Sequence, residues 1–188
     1  FVAQQPTVEL LDGGLFKYRL NLDVTAVPEH IAAICVTRPT NPTGNVLTHA
    51  ELLQLIELAE ARDVPLLIDN AYGAPFPNIL FDDAELPYSE NCIYCLSLSK
   101  LGLPGVRTGI VVGPPEVVQA LEAMNAVVSL ASNSMGPTLV HELVRSDQIV
   151  DISRDVIKPF YASRMQVALA MLQKELEGLP CRAHKPEG

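Results

Sequence analysis

Short apolar runs recur along the chain, and each runs into a polar residue. Ile31 to Val36 leads into Arg38-Pro39-Thr40-Asn41-Pro42-Thr43-Gly44, Val64 to Ile68 stops at Asp69, and Asn91 to Leu98 stops at Lys100. Runs of this length bounded by turn residues predict buried strands rather than helices. Between the first two lies a helical pattern. Thr48-His49-Ala50-Glu51 is a capping box that opens a helix to about Ala61, with Leu52, Leu55, Ile56 and Ala59 on one face. Strands joined through helices predict an α/β sheet, mostly parallel and flanked by helices.

Thr108 to Val112 is a fourth apolar run. It follows the third too closely for a helical crossover, so it is expected to be antiparallel. Pro114 and Pro115 start a helix through about Val128, and Pro137 to Val144 form another. A long helical pattern from about Asp151 to Glu177 contains Pro159, which predicts a kink or break there; it closes on Gly178 and Pro180. The expected organisation is a partial large domain over residues 1–155. Residues 156–188 supply a linking helix and the start of a small carboxyl-terminal domain. The chain starts at Phe1 and stops at His184-Lys185-Pro186-Glu187-Gly188, and we read it as part of a longer protein.

With 48% hydrophobic residues, the 188-residue chain has the composition of strands covered on both faces. A formal charge of −9 argues against nucleic acid or an anionic membrane as partner. No apolar run reaches the length of a membrane span, and no signal peptide is visible. Cys92 and Cys95 have the C-x-x-C spacing, but three positions along a strand put two thiols on opposite faces. Reduced core thiols, and with them a cytoplasmic setting, are expected. The four histidines show no metal-ligand spacing.

In open α/β sheets ligands bind beyond the carboxyl ends of the strands. Asn41 and Asp69 are 28 positions apart, close to one strand–helix–strand unit, which would bring them to one edge. That edge would also hold Tyr72, Ser97, Ser99, Lys100 and Arg107. A ligand matching this set carries a carbonyl for the lysine, a basic ring nitrogen for the aspartate, a ring hydroxyl for the amide and phenol, and a phosphate for the serines and arginine. Pyridoxal 5′-phosphate carries all four. Plainer roles stand beside these. Lys100 could end a strand in solvent, Asp69 could cap a helix, Asn41 could serve its turn, Tyr72 could simply pack, and Ser99 could only orient its loop. Arg38 reads as a surface or interface ion pair, and Ser132-Asn133-Ser134 as a plain helix cap.

Asn41-Pro42-Thr43-Gly44, Asp69-Asn70-Ala71-Tyr72, Ser97-Leu98-Ser99-Lys100 and Pro104-Gly105-Val106-Arg107-Thr108-Gly109 together resemble the fold-type I, class I/II aminotransferases, in the right order and over essentially the whole chain. The resemblance implies an aspartate aminotransferase-like fold and pyridoxal phosphate as cofactor. It gives Lys100 the covalent cofactor bond and proton transfer, Asp69 the pyridine nitrogen, Asn41 and Tyr72 the ring oxygen, and Ser97, Ser99 and Arg107 the phosphate. It implies a cis peptide at Asn41–Pro42 and a homodimer. Within the family, RPTNPTGNVLT, VIKPFY and HKPEG point to exchange between a small aliphatic amino acid, valine or alanine, and a 2-oxo acid, pyruvate. The Lys100–Arg107 loop is one residue shorter than in many relatives. The family's glycine-containing phosphate loop, its ring-stacking aromatic and its substrate-carboxylate arginine are expected outside residues 1–188. β-Elimination, decarboxylation and a non-catalytic cofactor-binding regulatory domain are the alternatives.

Overall fold

The computed structural model describes residues 2–82 and 84–188. In chain order, β1 (Thr7–Leu11) and β2 (Leu15–Arg19) are followed by β3 (Ile34–Thr37), α1 (His49–Ala61), β4 (Leu66–Asp69), β5 (Cys92–Ser97) and β6 (Gly109–Val112). The helices α2 (Pro115–Val128), α3 (Met135–Arg145), α4 (Gln148–Ile152) and α5 (Lys158–Glu175) then lead to the two-residue β7 (Ala183–His184).

β3, β4, β5 and β6 lie side by side in that order. The first three are parallel, and β6 runs antiparallel to β5 with Gly109 opposite Ser97, as the short connection requires. Thr37, Asp69 and Cys95 stand in one row across the carboxyl ends. Cys92, Ile93 and Tyr94 are buried in succession. Neighbouring strand residues face opposite ways, so β5 is covered on both sides. Leu52, Leu55, Ile56 and Ala59 of α1 pack with Leu66, Ile68, Cys92 and Tyr94, while a second cluster joins Phe76, Leu96, Leu98, Val140 and Ile149.

The capping box of α1 is present in full. Thr48 Oγ1 accepts from the Glu51 N–H at 3.2 Å, and Glu51 Oε2 accepts from the Thr48 N–H at 2.7 Å. The long helical pattern runs on without a break but widens upstream of its proline: a π-helical turn, Ser153–Ile157, joins α4 to α5, and Pro159 follows it directly, so the local change of pitch accommodates the N–H that proline lacks. Asn133, rather than either neighbouring serine, caps α3, its Oδ1 accepting from the Met135 N–H at 2.9 Å.

Two features lie outside the sequence reading. β1 and β2 form an antiparallel hairpin around Asp12-Gly13-Gly14, both glycines having positive φ, and β7 adds to β2 in parallel. Among the described residues no helix is long and apolar enough to cross a membrane. All four cysteines are free; Cys92 is buried and Cys95 half-buried, while Cys35 and Cys181 are exposed.

Candidate active site

The sheet topology carries the seven singled-out residues to one edge. Asn41 lies four positions past the end of β3, Asp69 ends β4, and Tyr72 follows in the turn after it. Ser97 ends β5, and Ser99 and Lys100 come directly after it. Arg107 returns to the same edge because Gly109, two positions on, pairs with Ser97.

Lys100 does not end the strand. β5 stops at Ser97, and Leu98–Leu101 form a 3₁₀ turn with Ser97 as its cap: Ser97 Oγ accepts from the Ser99 N–H at 3.2 Å. Leu98 is fully buried and pins this turn, its N–H donating to Thr108 O at 3.1 Å. Lys100 is left exposed, with Nζ 5.0 Å from the centroid of the Tyr72 ring. Amine and phenol therefore meet, within reach of a cation–π contact. Because the strand ends early, Ser97 and Ser99 do not share a strand face.

Arg107 adopts a left-handed backbone, φ +47, and its Nη1 donates to Ser99 Oγ at 3.3 Å. The loop that carries it is held from below. Val106 is buried, its carbonyl accepts from Thr108 Oγ1 at 3.0 Å, and Asn133 Nδ2 reaches the same carbonyl at 3.4 Å. Gly136 presses on Thr108 so closely that a Cβ there would lie 2.0 Å from Oγ1. Asn133 and Gly136, at the start of α3, thus support the arginine loop. Sequence reasoning gave Asn133 only a cap, and nothing local in the sequence signals its second bond.

Asp69 is exposed, and no helix follows it, so it is not a helix cap. Its Oδ1 accepts from the Ala71 N–H at 3.1 Å, and among the described residues Oδ2 makes no hydrogen bond. Cys95, its cross-strand neighbour, has its thiol pKa raised by burial first and by the Asp69 charge second, which keeps it protonated at neutral pH. Asn41 is exposed in a turn closed by Thr40 N–H to Asn45 O at 2.8 Å and Gly44 N–H to Thr40 O at 2.7 Å. The Asn41–Pro42 peptide is cis, as are those at Arg38–Pro39, Ala74–Pro75 and Phe76–Pro77.

Arg38 is not a surface or interface pair. It is 1% exposed and donates to the carbonyls of Leu47 and Glu85, at 2.8 and 2.7 Å, with Nη2 unpartnered among the described residues. Burial lowers its pKa. Its role is to tie the strand end to the segments around it.

Direct contact joins Lys100 to Tyr72 and Ser99 to Arg107, whereas Asp69 is brought to the edge by strand register and Asn41 by the loop that follows β3. The polar groups gathered at this edge are a primary amine, a carboxylate with one oxygen unbonded among the described residues, a phenol, an amide, and a guanidinium beside a hydroxyl. That set fits an aromatic phosphate ester with a carbonyl and a basic ring nitrogen.

The family model for aminotransferase class I and II matches residues 5–185. The chain belongs to the class I and II aminotransferase family. It is 45% identical over 188 residues to the valine–pyruvate aminotransferase of Escherichia coli (strain K12), covering all of this chain and 45% of that protein. The crystal structure of a valine–pyruvate aminotransferase from Salmonella typhimurium LT2 superimposes with a TM-score of 0.90 at 45% identity, over 97% of this chain and 47% of that one. The aspartate aminotransferase of Thermus thermophilus shares the fold, with a TM-score of 0.73 at 21% identity over 87% of this chain and 42% of that one. The chain thus spans about half the length of these relatives. Its sheet is that of the aspartate aminotransferase-like class, and the cofactor of this aminotransferase family is pyridoxal 5′-phosphate.

Proposed function

We propose that the protein to which this chain belongs transfers an amino group between a small aliphatic amino acid, valine or alanine, and pyruvate. The observation that carries this reading is the Lys100 amine lying over the Tyr72 ring, at the sheet edge where Asp69 and Arg107 also end. Identity of 45% to a protein named for valine and pyruvate supports the substrate pair.

Each residue has a distinct part. The free Oδ2 of Asp69 would accept the pyridine N–H and hold that nitrogen protonated. Tyr72 and Asn41 would donate to the ring oxygen. Ser97, Ser99 and Arg107 would hold the phosphate, the arginine through its planar fork. Bound there, the cofactor supplies an electron sink for a bond broken at the substrate carbon. Lys100 would hold the cofactor covalently between turnovers and, once substrate displaces it, its free Nζ would take the proton from the substrate α-carbon and pass it on to the cofactor. Proton transfer by a positioned group of this kind contributes about 10²–10⁴-fold.

Residues 1–155 read as part of the cofactor domain and residues 156–188 as the linking helix and start of a small domain. The π-helical turn at Ser153–Ile157 supports that division. We further propose a homodimer, and a cytoplasmic setting that suits four free thiols.

In the full-length protein, Lys100→Ala should abolish turnover and remove the visible absorption of the lysine-bound cofactor, an absorption that L-valine or L-alanine bleaches in the wild type. Near-normal transamination by the variant would refute the assignment. Amino-acid consumption that proceeds without added 2-oxo acid would identify elimination or decarboxylation instead.

A further inference from the structure

Lys17 and Glu187 form an ion pair in which both side chains are nearly sealed from solvent, the residues being 5% and 4% exposed. Lys17 Nζ lies 2.5 Å from Glu187 Oε2. Each partner also bonds Val46: Lys17 Nζ donates to Val46 O at 2.9 Å, and the Val46 N–H donates to Glu187 Oε2 at 3.1 Å; the other carboxylate oxygen, Oε1, lies 3.5 Å from Lys185 Nζ. The pair thus grips both backbone groups of Val46, as a neighbouring strand would. Val46 is the exit of the loop that holds Asn41.

The residues beside Val46 are gripped from the same side. Gly44 O accepts from the Glu187 N–H at 2.9 Å. Asn45 Oδ1 accepts from the Tyr18 N–H at 3.2 Å and lies 3.0 Å from His184 Nε2. Gly44 has φ +70, and a Cβ on it would stand 2.7 Å from Gly188 O, so loop and strap are in backbone contact. Phe81 N–H donates to Glu187 O at 2.8 Å, anchoring the strap on its other side. Three successive loop residues are therefore fixed by β2 and residues 184–188, and Thr40 is fixed to Asn45 in turn. Asn41 has only this frame to set its position, for its own side chain makes no hydrogen bond among the described residues.

We propose that Lys17 and Glu187 are positioning residues: their buried pair straps the 40–46 loop in register and thereby aims Asn41 at the sheet edge. The inference rests on the proposed function for what Asn41 is aimed at, but not for the strap itself. A pair kept only for stability would be replaceable by packed apolar residues. Here the two charged ends are matched to one N–H and one C=O, which is a directional function apolar groups do not supply.

The test uses the full-length protein. Glu187→Asp keeps the charge but shortens the reach by one methylene. Lys17→Met/Glu187→Gln removes both charges and leaves an acceptor for the Val46 N–H, so that a second variant is available if the first fails to fold. Amide hydrogen exchange is followed at Thr40, Gly44 and Val46, with α1 and β4 as internal reference, and pyridoxal phosphate affinity is titrated on the apoprotein. Expected are exchange in the loop faster by about tenfold or more with α1 and β4 unchanged, and cofactor affinity lower by about tenfold. Unchanged loop exchange in a folded variant, or acceleration equal in loop, α1 and β4, would overturn the inference. A wild-type protein that binds no pyridoxal phosphate, with loop exchange still governed by the pair, would remove the aminotransferase reading and uphold the strap.

Discussion

Arg107 shows how much of the site depends on single residues. Its left-handed backbone, unusual for a side chain of this size, turns the guanidinium back to Ser99. Arg107→Lys keeps the charge and loses the fork, so cofactor affinity should fall by about tenfold, read by titration of the apoprotein. Asp69→Asn keeps the shape and loses the charge. Turnover should drop by about 10²-fold, more than affinity does, since the charge matters most as electron density reaches the ring. Equal losses in turnover and affinity would assign Asp69 to binding alone. That these positions gather at one sheet edge was legible from residue type and order. The bend at Arg107 was not, because left-handed backbone at a non-glycine residue is imposed by the buried Val106 and the start of α3 rather than by local preference.

Among the elements, α1 was the most legible, because its start is written in Thr48 and Glu51 and its buried face in Leu52, Leu55, Ile56 and Ala59. Thr48→Ala should cost about 1 kcal/mol. Leu52→Ala, at a fully buried position, should cost about 2–5 kcal/mol; denaturant unfolding of both variants checks the order. Glu51 adds to the same end. Burial works to raise its pKa, but bonds from Thr48 and the Leu20 N–H, with the Arg19 charge, outweigh it and leave the pKa lowered. The four sheet strands came out one or two residues shorter than their apolar runs, since pairing partners decide where a ladder stops. The β1–β2 hairpin was illegible for a definite reason. Its pattern is inverted, with Val8 and Leu10 exposed and Lys17 buried, because the lysine's partner lies 170 positions away. Periodicity reports burial only when burial follows polarity.

For the whole molecule, the contacts that matter most cross nearly its full length. His184 is stacked on Tyr18, with ring centroids 5.3 Å apart, and faces Asn45, Lys17 and Glu187. Burial is the main cause that lowers its pKa. The unfolded chain therefore takes up a proton near the ordinary value of about 6.5 while the folded chain does not, and stability falls as pH drops below that point. Unfolding midpoints measured from about pH 7.5 to 5.5 should decline less in His184→Gln than in the wild type. Parallel curves would exclude the histidine as the source. The α/β architecture and the carboxyl-edge site could be read from the alternation of strands and helices. The strap could not, for HKPEG carries no signal of its own beyond resemblance. It also bears on how the protein is made. Val46 and Glu187 are 141 positions apart, so during synthesis the ribosome has delivered α1 and the whole parallel sheet before the residues that set the Asn41 turn emerge. In that sense the 40–46 turn is fixed late, when residues 184–188 join β2 on a segment made some way earlier.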